Sequence, residues 1–521
     1  MSTGTVTPYR SSPRAGRDGF ACLLRAEWTK FRTVRGWVLA TGGAALVTVL
    51  LGALLATGMR ATCSNGSAEI ACPAPPTGPG GEAVEDKFYF VYRQLTGDGS
   101  ITVRVTSMTG QIRRPDAIPG VRNVVPGVVP WAKAGVIVKE SGEQGSPYAA
   151  VMVTGEHGVR MQHDFTHDTA GRPGKVSGES PRWLRLTRTG GTLTGYESAD
   201  GAAWAVVGTA RLAGLPDTVR IGMFATSPGD ITATGRSGAA ERFAEVTAVF
   251  DRVSLEGTAS GGGWNRQDVG VTIGPDGSPH HPGGLTESGG TFTVTGVGDI
   301  APLLHGARIE TPLIGVVIGL IVVIVVAVTF VTAEYRRGLI RTTLLASPRR
   351  GRVPAAKAVV IGAVASVAGL AAAGVTVPLG TRILRGGGTP VLPVGTLTEI
   401  RVIAGCAALF GATAVLALAL GLLFRRGVAA VTAAIVLIVV PHVLAIASVL
   451  PAEAAQWLLR LTPAAAFAAL QSIPRYPQVT YHYVPAAGYY PLPAWAGLAV
   501  LCGYAALALG LAVLLLRRRD V

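Results

Sequence analysis

Apolar positions follow two contrasting patterns along this chain. Six long, nearly charge-free runs occupy about residues 37–58, 312–333, 355–378, 400–424, 427–450 and 492–516. Each reaches about 20 residues, the length that crosses about 30 Å of hydrocarbon at 1.5 Å per residue. The run at 313–330 carries no charge and is rich in Ile and Val. Such β-branched content favours strand in water, but the length of the run predicts a membrane helix. Residues 59–311 read differently. After a Pro/Gly-rich linker at 73–81, short alternating runs recur at 88–95, 101–108, 134–139, 149–154, 183–188, 192–196, 204–207, 219–224 and 243–255. Turn signals such as Gly97-Asp98-Gly99 and Asp200-Gly201 part them. Period-two runs at this spacing predict an antiparallel β-sandwich at about 86–257, closed by the Gly/Ser stretch 257–263, with another strand-like run at 291–295. The fold class expected is a multi-span α-helical membrane protein with six transmembrane helices and a large extracellular all-β sandwich (jelly-roll) insertion.

The first apolar run is longer than the 7–15-residue core of a cleaved signal and follows about 36 residues, so it is read as a retained anchor. Apolar residues make up 49% of the chain and charged ones 15%. The usual charged share is about 25%, and the deficit argues against a wholly soluble or a disordered protein. The location of the charges gives more. The segment before the first span nets +5, the segment from Glu334 to Lys357 +6, Arg425–Arg426 +2 and the tail from Arg517 +2, which together equal the whole net charge of +15. Short loops rich in Lys and Arg stay in the cytoplasm. Both termini are therefore expected inside and residues 59–311 outside, in the plasma membrane. The basicity reflects topology, and no nucleic-acid partner is expected.

The expected organisation is a basic cytoplasmic tail with an interfacial helix (1–36), a first span (37–58), an outer region (59–311), a second span (312–333) and a cytoplasmic loop (334–354). Spans three to six fill 355–516, with an outer segment at about 451–491 and a short cytoplasmic tail at 517–521. Five cysteines are too few for a disulfide scaffold. Cys63 and Cys72 both fall in the outer, oxidising segment, where a disulfide between them is expected, two free thiols being the alternative.

Within the outer region, Trp131-Ala-Lys133-Ala-Gly135, Trp183-Leu-Arg185-Leu and Gly195-Tyr196 through Asp200-Gly201 to Trp204 resemble bacterial concanavalin-like lectin/glucanase jelly-roll domains. The resemblance implies a sandwich fold and, for Trp131, Trp183, Tyr196 and Trp204, candidate stacking contacts with a glycan; core packing is the alternative for most of them. The Glu-x-Asp-x-x-Glu pattern of jelly-roll glucanases is absent, so hydrolysis is not expected. His157, His163 and His167 with Asp164 and Asp168 lack a further ligand motif, and no metal or other cofactor is expected.

On the inner side, Phe20, Leu24, Trp28 and Phe31 recur at helical spacing around Glu27, an amphipathic helix suited to the membrane interface. After the second span, Glu334, Arg336, Arg337, Arg341, Thr342, Pro348, Arg349 and Arg350 form a basic segment. Glu334 can pair with Arg337 three positions on, and Pro348 should stop the helix. Together with the six spans, the 24–32 helix and this segment resemble the membrane subunits of type-2 ABC exporters, especially actinobacterial permeases. The 457–471 stretch is similar to that family's outer re-entrant region.

The resemblance implies that the segment from Glu334 to Pro348 docks on a separate ABC ATPase subunit. It also implies that the permease works as a homodimer or heterodimer in the lipid bilayer, moving a cargo of unknown identity. The chain carries no Gly-x-x-x-x-Gly-Lys-Ser/Thr loop, so it is expected not to be an enzyme and to draw on ATP hydrolysed by that partner. The long outer insertion departs from the family. His442, beside Pro441 in the fifth run, is a candidate group on a substrate path. A membrane-anchored glycan-binding or sensing protein without transport is the alternative reading.

Overall fold

A computed structural model describes residues 19–518 apart from 66–67, 115–122, 235–237, 274–278, 337 and 339–350. An interfacial helix α1 (Phe20–Thr33) leads into α2 (Arg35–Gly58). After the all-β region come α3 (Val316–Arg336), α4 (Arg352–Gly386) and α5 (Thr396–Phe424). Then follow α6 (Gly427–Ile446), the short α7 (Ala452–Leu461) and α8 (Ala494–Arg518). Helices α2 to α6 and α8 are the six spans, the second extended by a 3-10 turn at Thr311–Gly315. Small residues let them approach closely. At Gly52 of α2, a Cβ would lie 2.3 Å from the Pro312 carbonyl oxygen. In α6, a π-helical turn at Ile435–Val439 ends two residues before Pro441. Proline cannot donate to the helix ladder, and a local change of pitch absorbs the loss.

Four basic segments share one end of the bundle, here the basic end. Lys30 of α1 contacts Glu334 of α3. Arg425, in the α5–α6 turn, stacks over Tyr335 of α3. Gly351 lies beside Arg517 of α8. At the opposite end sits the all-β region. A backbone bridge, Ala307 with Val391, joins its exit to the α4–α5 connection. Gln478, in the loop before α8, donates to the carbonyls of Phe165 and Thr166 at 3.5 and 3.1 Å.

The region is a two-sheet antiparallel sandwich. Its main strands are β1 (Val84–Asp86), β2 (Phe88–Arg114), β3 (Lys133–Lys139), β4 (Tyr148–Thr154), β5 (Val159–His163) and β6 (His167–Ala170). They continue with β7 (Arg182–Thr189), β8 (Thr192–Ser198), β9 (Ala205–Arg211), β10 (Thr218–Thr226) and β11 (Ala244–Val269). The last are β12 (Gly284–Ser288), β13 (Thr291–Gly296) and β14 (Ile300–Pro302). Strands β2 and β11 pair along almost their whole length and belong to both sheets. On its other edge β2 pairs first with β10, then with β7. One sheet continues β10-β3-β4-β5-β6 and the other β7-β8-β9, with β13 and β12 beyond β11.

Two sequence expectations change here. Gly97-Asp98-Gly99 is not a hairpin turn but a corner within β2, matched by Gly257 in β11. Gly97 and Gly257 have φ of +72° and +112°. A Cβ on Gly257 would lie 2.6 Å from the Asp98 carbonyl oxygen, so only glycine lets both strands fold over together. The Gly/Ser stretch likewise does not close the sandwich: β11 runs through it to Val269, and paired strands continue to Pro302.

The main core lies between the sheets, with Val103, Val136, Val151, Leu186, Ile221 and Phe250 fully buried. A second apolar layer (Phe88, Phe90, Tyr148, Phe165, Phe224, Ile300) covers the outer face of β3 and β4. Every residue of those two strands is therefore buried. The alternation of β3 places Lys133 and Lys139 on this covered face. Each is fully buried and paired: Lys133 with Asp299 at 2.5 Å and Lys139 with Asp86 at 2.7 Å. Both aspartates sit where the chain enters and leaves the domain, and β1 and β14 pair there. These ion pairs fasten the sandwich to its two connections with the helices.

Candidate functional site

Among the described residues of the bundle, the densest ionic arrangement joins three elements at the basic end. Lys357, near the start of α4, is fully buried. Its ammonium donates to Glu27 of α1 at 2.7 Å and to Glu334 of α3 at 2.6 Å. Lys30, half-exposed on α1, bridges the same two carboxylates at 2.9 and 3.1 Å. Two positive and two negative groups thus alternate, and each lysine touches both acids. Burial by itself would lower the Lys30 ammonium, but the hydrogen bonds and charges of Glu27 and Glu334 carry it above its ordinary value. Beneath the cluster lies an aromatic nest. Lys357 sits 4.8 Å above the Phe330 ring, and Phe31 and Trp37 meet that ring edge-on at 6.0 and 5.1 Å.

Local sequence explains the placement. Leu24, Glu27 and Phe31 are three and four residues apart and line one face of α1. That face packs on the bundle: Glu27 and Phe31 are buried and Leu24 half-buried, while Phe20 and Trp28 are exposed. One stripe of this helix is thus held by protein, where Glu27 meets the buried Lys357 and the half-exposed Lys30. Glu334, expected to pair with Arg337, pairs with Lys30 and Lys357. Arg336 ends α3, exposed. Arg337, Arg341, Thr342, Pro348, Arg349 and Arg350 lie outside the described residues. Lys30 and Lys357 were read as topological charges within the two segments that resemble the exporters, with no ionic partner assigned; their spacing from the two acids, 23 residues from Glu334 to Lys357 and one helical turn from Glu27 to Lys30, did not single them out.

The cluster therefore brackets residues 337–351: it clamps the helix that enters that segment, the helix that leaves it, and α1 alongside. Breaking a buried ionic contact by removing one partner costs about 3–5 kcal/mol.

In the sandwich, the aromatic residues divide. Trp131 is buried, stacked on His157 at 4.0 Å. Trp183, Tyr196 and Trp204 are half-buried. Arg104 lies 5.7 Å over Trp183 and is held by Asp251 at 2.5 Å, and Arg185 lies 4.1 Å over Trp204. The strand register sets Arg185 opposite Tyr196 and Trp183 opposite Arg104, so these side chains share one face of β2, β7 and β8. Among the histidines, His163 and His167 stack ring on ring at 4.2 Å, while Asp168 is taken by Arg160 and Gln162. Cys22, Cys406 and Cys502 carry free thiols. A hairpin of Thr62–Asn65 with Ala68–Ala71 sets Cys63 opposite Ile70, just before Cys72; the Cys63 side chain lies outside the described residues.

His442 is buried in α6, stacked on Phe467 at 3.5 Å. It lines a chamber of about 400 Å³ with Arg308, Glu310, Gln471 and Tyr490, at the sandwich end of the bundle.

A sequence model of the family described as "ABC-2 family transporter protein" matches residues 145–521, well over half the chain. No curated protein matches it. Among solved structures, a functionally unknown protein from Saccharomyces cerevisiae is 15% identical, with a TM-score of 0.22 over 40% of this chain and 99% of that one. Scytalido-glutamic peptidase is 9% identical, with a TM-score of 0.26 over 42% of this chain and 100% of that one. A GH43 protein from Bacillus licheniformis is 17% identical, with a TM-score of 0.19 over 31% of this chain and 28% of that one. Likenesses this weak carry no argument about the sandwich.

Proposed function

Because the chain belongs to the ABC-2 transporter family, we propose that it is the permease subunit of an ATP-driven exporter in the plasma membrane, taking its energy from a separate ATPase subunit. The observation that carries this reading is the four-charge cluster around Lys357. It grips both ends of the basic segment 337–351 and couples them to α1. Residues 334–350 are the docking element, and five of the six charges there are positive, suited to an acidic groove on the motor. Motor closure pulls on this segment, and the cluster passes the pull to α1, α3 and α4 as one body. The permease works as a dimer. Both termini and the basic end face the cytoplasm and the sandwich faces outward, a reading supported by the convergence of four basic segments at one end. Cys63 and Cys72, outside, form a disulfide.

Co-purification in mild detergent tests this. An ATPase subunit is recovered with the wild-type chain, and Arg337→Glu with Arg341→Glu lowers its recovery about tenfold or more. Recovery unchanged by the charge reversals, or no ATPase at all, overturns the proposal. Cysteine labelling that puts 337–351 on the side of the sandwich overturns the orientation.

One observation favours a second role. The half-buried Trp183, Tyr196 and Trp204, capped by Arg104 and Arg185, form an aromatic face outside the core. Glycan binding there, without transport, is the alternative. It requires full-length protein to bind a glycan array and Trp204→Ala to abolish that binding while no ATPase associates.

A further inference from the structure

Topology accounts for the arginines at the basic end of the bundle but not for those at the sandwich end. Three of the latter, Arg401, Arg460 and Arg475, line one pocket of about 620 Å³. It lies between the first turns of α5 and α8, the short α7 and the segment that joins α7 to α8. Among the described residues no aspartate or glutamate lines it. Glu399 on α5 and Glu453 on α7 fall outside the lining, and Glu310 lines the neighbouring chamber instead. Each guanidinium is held by something other than an acid. Arg401 donates to the Gln471 and Ala469 carbonyls at 2.6 and 3.4 Å. Arg460 lies 5.0 Å over the Trp457 ring and Arg475 5.0 Å over the Tyr483 ring.

The sign of a ligand follows from this lining. Arginine is always charged, so three cations with no acid among them favour an anion, whatever their exact spacing. Two further features agree. Ala494 and Trp495, the first two residues of α8, line the pocket, and the backbone N–H groups of a first helical turn have no partner within the helix. Tyr489, also in the lining, carries a buried hydroxyl without a hydrogen-bond partner. The level of the pocket follows from its neighbours. Leu397 and Trp495 are the second residues of the spans α5 and α8, so both spans begin beside it. Leu397, Ile400 and Leu461 are exposed apolar side chains, and Trp457 and Trp495 are exposed indoles. Apolar flanks with indoles at the rim mark the boundary between hydrocarbon and head groups.

We propose that this pocket binds the phosphate of an anionic glycerophospholipid from the sandwich-side leaflet, with the acyl chains against Leu397 and Ile400. Guanidinium forks match phosphate oxygens two at a time. Arg401 is fixed by backbone carbonyls, whereas Arg460 and Arg475 rest on aromatic faces and can turn toward a phosphate without giving up a hydrogen bond to protein. A choline or ethanolamine head would bring a fourth cation into the pocket, so a lipid of net negative charge is preferred. The exposed apolar side chains at the rim favour a lipid over a free anion, because they place the pocket where lipid phosphates are concentrated. The site holds a lipid to the outside of the bundle. It is separate from any cargo path and does not rest on the transporter reading.

The test uses the full chain in phosphatidylcholine nanodiscs without any ATPase. The probe is phosphatidylglycerol with a diazirine near the head-group end of one acyl chain. Light should attach it, saturably, to peptides containing 397–400, 457–461 and 492–495. Unlabelled phosphatidylglycerol should compete about tenfold better than phosphatidylethanolamine or diacylglycerol. Arg460→Gln with Arg475→Gln should lower labelling about tenfold. Arg382→Gln with Arg385→Gln removes the same charge from the exposed end of α4, outside the pocket, and should leave labelling unchanged. Arg401 stays in place because it also holds backbone, and the competition series on the wild-type chain decides the head group even where a variant misfolds. Labelling that never saturates or is blind to head group means bilayer lipid only and overturns the proposal. Equal loss in the two double variants means diffuse charge at this end of the bundle and overturns the site. Inorganic phosphate that displaces the probe as well as phosphatidylglycerol does means a site for a free anion and overturns the lipid as its source.

Discussion

The sandwich and the helix bundle both bury lysines against carboxylates, but they wire them differently. In the sandwich, Lys133 and Lys139 stand on one strand and each has its own aspartate. Backbone groups complete each pair: Lys133 also donates to the Ile300 carbonyl and Lys139 to that of Ser146, while Gly145 N–H donates to Asp86. In the bundle, Lys30 and Lys357 share Glu27 and Glu334, and among the described residues no backbone group is bonded to any of the four charged heads. Separate pairs anchored to backbone have one arrangement and act as locks. A shared network of side chains from three helices can lose one contact and keep the others, so its members can shift together. This is the wiring expected of a domain that is held and of a joint that transmits.

The largest effect should come from Lys357→Met. It removes the only fully buried cation of the bundle cluster and leaves two buried acids with the half-exposed Lys30. Stability should fall by about 3–5 kcal/mol, read from thermal unfolding in detergent, and the motor should no longer respond to the permease. The triple variant Lys357→Met, Glu27→Gln, Glu334→Gln removes the stranded charges and should recover most of the stability but not the response. If response returns with stability, the cluster is structural and the transmission argument fails.

Lys139→Met should cost less, about 2–3 kcal/mol, because Asp86 keeps the Gly145 N–H after its cation is gone. The loss should be confined to the sandwich, visible as a separate early transition, with ATPase recovery unchanged. A Lys139→Met variant that loses the ATPase would mean that the two wirings serve the same purpose. Lys30→Met should cost under about 1 kcal/mol, since its side chain is 40% exposed and Lys357 still bridges both acids. A cost equal to that of Lys357→Met would show two independent pairs, not a shared network.

How much of this contrast the sequence carried depends on the range of the interactions. The six spans were legible because an apolar run of membrane length has few other uses, and the sandwich because period-two runs recur. The corner at Gly97 was misread because a glycine pair signals a turn, and only a partner strand bending at Gly257 turns it into a continuous strand. Lys133 and Lys139 look like ordinary strand ends. Their burial follows from a second apolar layer over the outer face of the sheet, and their partners lie on the connecting segments, 166 and 53 positions away. Glu27 and Glu334 were singled out, but each for a local role, because their partners are set by helix packing. Residues 337 and 339–350 carry the expected docking chemistry in sequence alone.

The smallest effect concerns a carboxylate that has no ion-pair partner among the described residues, which bounds the comparison from the other side. Asp200, in the β8–β9 turn, accepts the backbone N–H groups of Ala203 and Ala202 at 2.9 and 2.8 Å and the Ser198 hydroxyl at 2.9 Å. These donors, the backbone pair foremost, lower its carboxyl from 3.8 to about 2. A carboxylate with a depressed folded-state value stabilises fully above its unfolded value and loses that contribution as pH falls through the folded one. Between 3.8 and about 2 the unfolded chain takes up more protons, so acid should weaken the turn in that window. Asp200→Asn keeps an oxygen acceptor and removes the titration. Its acid unfolding, followed by the fluorescence of Trp183, which lies against Gly201, should be flatter between those two values than that of the wild type. An identical slope in Asp200→Asn would mean that the hydrogen-bonded turn contributes no pH dependence.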